Sequence, residues 1–173
     1  WEDHENKIRA DGLTAEELEI QKRNFYLLDA QRYFKPDSFD YTIQTVGVYE
    51  NKDIVKKASE VLHKKLTDLI NSIDSGMVMI KLSETSMDFS YDIVLENEDY
   101  TIGKVLEYIL YEKFFIDQKL LTFCGFKKLH PHDTDSIIRV AYEKNTDKGL
   151  VADNLKDVCI VAAEVFTKLH KMF

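Results

Sequence analysis

The chain has 173 residues, of which 45% are hydrophobic and 31% charged, a composition typical of a globular protein with one domain and room for part of another. The formal net charge of −8 disfavours a nucleic-acid groove, because affinity for DNA or RNA comes mostly from Lys and Arg side chains that neutralise phosphates. No apolar run approaches the roughly 18 residues of a membrane-spanning helix, and residues 1–20 lack the apolar core of a signal peptide.

The first predicted helix covers residues 14–34. Thr14 and Glu17 stand three residues apart in the pattern of a capping box. Pro36 is expected to end the segment, because the residue before a proline avoids helical dihedral angles. The apolar side chains expected to contact a core are Leu18, Phe25, Leu28 and Tyr33.

A strand is predicted over residues 39–49, because aromatic and β-branched residues alternate there with polar ones. Gly47, near its end, indicates a bulge or a close approach of another segment.

Residues 51–73 form the most regular predicted helix, with Asn51 as its expected cap. Apolar residues recur at steps of three and four, which predicts one buried face. The pattern alone does not distinguish a face buried in the same domain from a face that binds a partner. Its members are Ile54, Val55, Ala58, Val61, Leu62, Leu66, Leu69, Ile70 and Ile73.

From residue 77 onward the predicted order is β-β-α-β-β-α. This order indicates an α+β fold, with a mostly antiparallel sheet and both helices on one of its faces. Thr101 and Asp153 are the expected caps of the two helices. The elements are strand 77–82, polar turn 83–88, strand 89–96, helix 102–113, strands 120–128 and 136–143, and helix 153–173.

One loop carries side chains that a metal could use, namely His130, His132, Asp133 and Asp135. Their spacing matches no established metal site, and the segment LHPHDTD is also typical of a loop between strands. Cys124 and Cys159 lie among apolar neighbours, which predicts buried thiols in a reducing compartment. A nucleophile elbow and a glycine-rich phosphate loop are both absent from the sequence. We therefore predict no catalytic residue, no cofactor and no metal site.

Residues 93–104, IVLENEDYTIGK, resemble the signature of the L-type assembly subunits of archaeal and eukaryotic RNA polymerases. In that signature an apolar strand and an acidic turn lead into a His-Thr-Leu-Gly-Asn-like helix start. The resemblance continues in LTFCGFKKLHPHDTDSIIRVAYE, with a Gly-Tyr-like step, a His-Pro loop and a closing strand, and it covers about residues 77–173. Two positions depart from the signature, since Tyr100 replaces its His and Lys104 its Asn.

Residues 38–66 resemble the last strand and C-terminal helix of the larger, D-type subunit, whose bacterial counterpart is the N-terminal domain of the α subunit. One chain that joins both types resembles the fused assembly subunit of large cytoplasmic DNA viruses. The resemblance implies a linker and helix at 1–36, the D-type tail at 37–75 and the L-type dimerisation domain at 76–173. The sequence opens on Trp1 rather than Met, so we expect the rest of the D-type half upstream.

The resemblance implies a non-catalytic scaffold subunit of DNA-directed RNA polymerase without a cofactor. Its two halves would pair through helices and form a platform for the two largest subunits and for small subunits, with no tight contact to nucleic acid and none to membrane. The expected location is the cytoplasmic viral factory or the virion for a viral protein, and otherwise the nucleus or cytoplasm.

The same resemblance assigns nineteen residues to helix pairing and assembly. They are Ile54, Ala58, Val61, Leu62, Leu66, Leu69, Tyr100, Thr101, Ile102, Gly103, Val105, Leu106, Ile109, Leu110, Leu155, Val158, Ala162, Phe166 and Leu169. Two alternatives stay open at this point. A stand-alone α+β enzyme or metal-binding domain would use the loop from His130 to Asp135, and a free-standing module would bind its ligand as a homodimer.

Overall fold

The computed structural model describes residues 5–6, 12–35 and 37–173, and the fold of this part of the chain is α+β. The residues up to Ile43 and those from Gln44 onward form two separate units. The sheet and three of the four α-helices described below belong to the second unit. No helix within the described ranges is both long and apolar enough to cross a membrane.

Helix α1, Ala15–Asn24, begins at the predicted capping box. The Thr14 hydroxyl accepts a hydrogen bond from the Glu17 N–H at 3.4 Å, and the Glu17 carboxylate accepts one from the Thr14 N–H at 2.9 Å. The chain continues as a π-helical turn, Phe25–Asp29, and a 3₁₀ turn, Ala30–Arg32. The prediction that Leu28 and Tyr33 contact a core is wrong, because their side chains are 64% and 79% exposed. Pro36, the predicted end of the segment, lies outside the described residues.

The strand predicted at 39–49 is not formed, which corrects the sequence analysis. Phe39, Tyr41 and Val46 are 63%, 83% and 97% exposed, and none of the described residues pairs with this segment as a neighbouring strand. A strand needs the backbone groups of a neighbour, so alternation alone does not make one. Gly47 belongs to a turn and has φ +97°. In this turn the Thr45 hydroxyl accepts a hydrogen bond from the Gly47 N–H and donates one to the Tyr49 carbonyl.

Helix α2, Asn51–Asp74, confirms the predicted helix to within one residue. The predicted buried face is corrected at Ala58 and Val61, which are exposed. Its N-cap is Glu50, which makes no side-chain capping bond, so the assignment of the cap to Asn51 was wrong. The buried face centres on Leu66, which is 0% exposed, and Ser59, whose hydroxyl donates to the Val55 carbonyl.

The sheet has four strands in the order β1-β2-β4-β3, and each neighbouring pair is antiparallel. The strands are β1 Ile80–Leu82, β2 Ser90–Leu95, β3 Leu121–Lys127 and β4 Ser136–Tyr142. The polar turn joins β1 and β2 as an antiparallel hairpin, and β3 pairs with β4 in the same way, as the prediction of a mostly antiparallel sheet requires. Strand β1 is three residues shorter than predicted, although Val94 N–H still donates to the Met79 carbonyl at 3.0 Å just before it.

Both later helices start earlier than predicted, and both are capped by aspartate. Helix α3, Tyr100–Leu110, is capped by Asp99, whose carboxylate accepts from the Thr101 N–H at 3.0 Å. Helix α4, Lys148–Met172, is capped by Asp147, which accepts from the Leu150 N–H at 2.8 Å. Thr101 and Asp153 are therefore helical residues rather than caps. Helix α3 continues into a π-helical segment, Tyr111–Asp117.

One face of the sheet carries the core. Alternate residues of a strand point to the same face, and those of β2 and β4 form one buried cluster with α2, α3 and α4. This confirms the prediction of an antiparallel sheet with α3 and α4 on one face. The cluster includes Leu66, Tyr91, Ile93, Leu95, Ile102, Leu106, Leu110, Ile138, Val140, Tyr142, Leu155 and Val158.

Candidate functional site

The two longest helices, α2 and α4, pack side by side in antiparallel directions. At one end Lys156 of α4 pairs with Asp74 of α2, and at the other His170 Nε2 lies 2.9 Å from Glu60 Oε1. Glu60 and Asp74 are about 21 Å apart along the axis of α2, at 1.5 Å per residue. The helices therefore run together over most of their length. Since both pairs are exposed, the stability of this contact comes from the apolar residues between them rather than from the charges.

Eight of the residues predicted for helix pairing are fully buried within this chain. They are Leu66, Ile102, Gly103, Leu106, Leu110, Leu155, Val158 and Ala162. These residues belong to the interior of the fold and are already covered by the chain itself. The structure brings together residues of α2, α3 and α4 that the sequence places up to about a hundred positions apart.

The other predicted residues are less completely covered. Seven are half-buried, namely Ile54, Leu62, Leu69, Val105, Ile109, Phe166 and Leu169, and four are exposed, namely Ala58, Val61, Tyr100 and Thr101. Val61 is 55% exposed and Tyr100 57%, so both are accessible to another protein. An assembly role for any of these residues stays a prediction.

The signature segment at the start of α3 contacts Phe126 of β3. A Cβ atom on Gly103 would lie 2.7 Å from Phe126 Cζ and closer still to two other atoms of that ring. The Tyr100 ring meets the same ring edge-on, with the centroids 5.2 Å apart, and the Lys104 ammonium lies 5.9 Å from its centroid. Only glycine leaves room for the ring at position 103, even though glycine is unfavourable inside a helix.

Glu107 of α3 holds the edge of the sheet at β3. One of its carboxylate oxygens accepts the Phe126 N–H at 2.9 Å, and the other pairs with the Lys104 ammonium. Exposed N–H groups on an edge strand are templates for pairing with another chain, and this carboxylate occupies one of them. No pattern in the sequence singles out Glu107 or Phe126 for these roles. Only the spacing of Lys104 and Glu107, three apart on a helix, could have pointed to part of this arrangement.

The opposite face of the sheet carries an ion pair. Arg139 Nε and Nη2 donate to the two carboxylate oxygens of Asp92 at 2.6 Å and 2.7 Å, with the Asp92 side chain 6% exposed. The Arg139 hydrogen bonds lower the pKa of the Asp92 carboxyl, and the carboxylate raises the pKa of Arg139. Strand β2 is thus buried on both faces.

The thiols of Cys124 and Cys159 are in surroundings that make them unreactive. Burial raises the pKa of Cys159 to about 12, and burial together with the nearby Glu107 carboxylate raises the pKa of Cys124 to about 12. Thiolate is the reactive form of cysteine, so neither side chain is suited to nucleophilic catalysis near neutral pH.

The histidine loop between β3 and β4 is held by hydrogen bonds within itself and to its neighbour. His130 N–H donates to the Asp133 carboxylate at 3.0 Å, and His132 N–H donates to His130 Nδ1 at 3.2 Å. The Asp135 carboxylate accepts the Asn97 N–H at 2.9 Å, which ties the loop to the turn after β2. Within the described residues no group of three or more His, Cys, Asp or Glu side chains is placed to hold a metal ion.

Comparison of the sequence with models of known protein families gave no match, and no curated protein matched it.

Proposed function

We propose that this chain is a non-catalytic assembly subunit of a multisubunit DNA-directed RNA polymerase, which joins a D-type tail and an L-type domain in one polypeptide. The proposal starts from the resemblance of residues 93–104 and 38–66 to those subunit types. It makes the chain a platform on which the two largest subunits and small subunits assemble.

The observation that carries the proposal is the antiparallel packing of α2 on α4. The resemblance assigns α2 to the D-type tail and α4 to the L-type domain, and it implies that these two halves pair through their helices. The pair spans about 21 Å between its terminal charge contacts, Lys156–Asp74 and His170–Glu60. A contact of that length, with Leu66 and Leu155 both 0% exposed in one core, suits a permanent rather than a transient pairing.

A second contact supports the same proposal. Gly103 belongs to the signature segment, and Phe126 belongs to the Gly-Phe step that the resemblance compares with the family's Gly-Tyr. These two motifs are separated in the sequence, yet Phe126 packs where a side chain on Gly103 would lie. The two motifs therefore form one structural unit, which gives a physical reason for them to occur together.

The proposed platform works by rigidity rather than by chemistry. Burying an Ile or Leu side chain contributes about 1.5–3 kcal/mol, so the shared core of α2, α3 and α4 fixes their relative positions. The large subunits would then bind exposed residues around that core. In a viral protein this assembly would take place in the cytoplasmic factory or virion, and otherwise in the nucleus or cytoplasm.

The experiment is affinity purification of the tagged chain from cells that make it, with mass spectrometry of the bound proteins. We expect the two largest polymerase subunits in near-stoichiometric amounts, together with promoter-independent RNA synthesis in the eluate. The purified chain alone should make no RNA and should not bind DNA tightly at moderate salt. Recovery of the chain without any polymerase subunit would refute the proposal.

A matched pair of variants separates docking from folding. Val61→Glu places a charge on an exposed, predicted interface residue and should reduce recovery of the large subunits at least tenfold. Leu129→Glu changes a residue that is 71% exposed and outside the predicted interface, so it should leave recovery unchanged. Leu106 is 0% exposed, so its replacement would report on folding instead. Equal recovery with both variants would remove Val61 from the interface.

A further inference from the structure

A groove runs between the C-terminal half of α2, the entry to β1 and the turn after β2. Its volume is about 300 Å³, at the lower end of the range of small-molecule pockets. It is open along one side and therefore suits a side chain or two of a polypeptide better than an enclosed cofactor. Its lining comprises Lys65, Asp68, Leu69, Ser72, Met77, Val78, Met79, Val94, Glu96, Asn97 and Glu98.

Five of the eleven lining residues of the groove are apolar, and two of these are methionines. Met77 and Met79 are 69% and 55% exposed, next to Leu69 and Val94. Their backbone is fixed, because Met77 N–H donates to the Ser72 carbonyl at 2.9 Å and the Met79 carbonyl accepts from Val94 N–H at 3.0 Å. Methionine side chains are flexible and polarisable, and they are favoured at surfaces that adapt to a bound peptide.

The rim of the groove is acidic. Asp68 and Glu96 are exposed, and Glu98 adds a third carboxylate. Lys65 is the single cation among the lining residues, and its ammonium is already bound to both oxygens of Glu98 at 2.8 Å and 2.9 Å. The rim therefore repels phosphates and other anions, and it favours Lys or Arg on whatever occupies the groove.

We propose that this groove is a docking site for a segment of a partner protein in which an apolar side chain is flanked by Lys or Arg. The apolar side chain would rest on Met77 and Met79, and the cations would meet Asp68 and Glu96, since Glu98 is already paired with Lys65. The proposal holds whether or not the chain is a polymerase subunit.

The test is selection of binding sequences from a display library of random 12-residue peptides on the immobilised full chain. We expect the enriched peptides to share an apolar residue with at least two neighbouring Lys or Arg. Their affinity should fall with added salt, because exposed charge pairs are screened. Enrichment of acidic or wholly apolar peptides, or of none above background, would overturn the proposal.

Two matched pairs of variants place the binding. Met79→Lys and Glu96→Lys in the groove should each weaken the selected peptides at least tenfold. Met172→Lys and Glu164→Lys make the same changes at exposed positions of α4 away from the groove and should leave affinity within twofold. Thermal unfolding of each variant checks that the fold is intact. Equal affinity for groove and control variants, or binding of a single-stranded oligonucleotide that competes with the peptide, would refute the assignment.

Discussion

Replacement of Gly103 by alanine should destabilise the protein, although alanine is normally the better helix residue. An added Cβ would lie 2.7 Å from Phe126 Cζ and closer to Cε2 and Cδ2 of the same ring. A retreat of the ring would disturb its contacts with Tyr100, at 5.2 Å between centroids, and with Lys104, which lies over its face. Overpacking of this kind costs about 1–3 kcal/mol, whereas alanine gains about 1 kcal/mol of helix propensity over glycine. The expected net loss is therefore up to about 2 kcal/mol.

The assay is urea unfolding followed by far-ultraviolet circular dichroism, with the free energy of unfolding extrapolated to water. Gly149→Ala is the matched control, because a Cβ there meets nothing closer than the Asp147 carboxylate at 3.4 Å. That variant should be as stable as the natural protein or slightly more so. Combining Gly103→Ala with Phe126→Leu should recover part of the loss, since the smaller side chain relieves the overlap. A Gly103→Ala protein as stable as the Gly149→Ala protein would refute the reasoning.

Three further outcomes follow from the site geometry. Asp92→Asn should cost about 2–4 kcal/mol in urea unfolding because it leaves Arg139 without its charge partner on a largely covered face. The pKa of Asp92 is lowered in the folded state, so its charge stabilises the fold fully at pH values above its unfolded-state pKa of about 3.9. This stabilisation is lost as the pH falls through the lower, folded-state pKa. The Asn variant should therefore lose less stability below about pH 4 than the natural protein. Asp147→Ala should cost about 1 kcal/mol through loss of the α4 cap, whereas Asp153→Ala should cost almost nothing; equal losses in thermal unfolding would contradict the capping assignment. Cys159 should resist a thiol reagent at pH 8 in the folded protein and react at once in urea, and rapid labelling without urea would show that burial does not protect it.

The regular parts of the fold could be predicted because they depend on local patterns. The stripe from Ile54 to Ile73 has the helical period over many turns, and α2 ends within one residue of the predicted position. The capping box of Thr14 and Glu17 is a four-residue motif that carries its own hydrogen bonds. Each of these signals is contained in the segment that it describes.

The predictions that were wrong concern features that depend on contacts with residues distant in the sequence, which a local pattern does not record. The segment at 39–49 has the alternation of a strand but no neighbour among the described residues. Asp147 and Asp153 are chemically identical candidates for the cap of α4. The helix is capped by Asp147, so that its first turns include Val151, which is 1% exposed and packs in the core.

The sequence predicted which apolar residues of the helices come together, but not which of them are buried inside the chain. The sequence placed the apolar residues of α2, α3 and α4 in one interface, and the structure shows that the most buried of them form the core of the chain itself. Phe126, Glu107 and the pair of Asp92 with Arg139 were missed. Their roles arise from contacts across the sheet or between α3 and β3, which no local pattern records.

The pairing of α2 with α4 inside one polypeptide makes that contact independent of protein concentration. Two separate chains with the same helix faces would dissociate on dilution, whereas α2 and α4 are joined through the folded strands and helix that lie between them in the chain. The stoichiometry of the two helices is also fixed at one to one by synthesis, with no excess of either left unpaired. Dilution to nanomolar levels should therefore leave the helix pair intact, since its stability is that of a folding reaction rather than of an association.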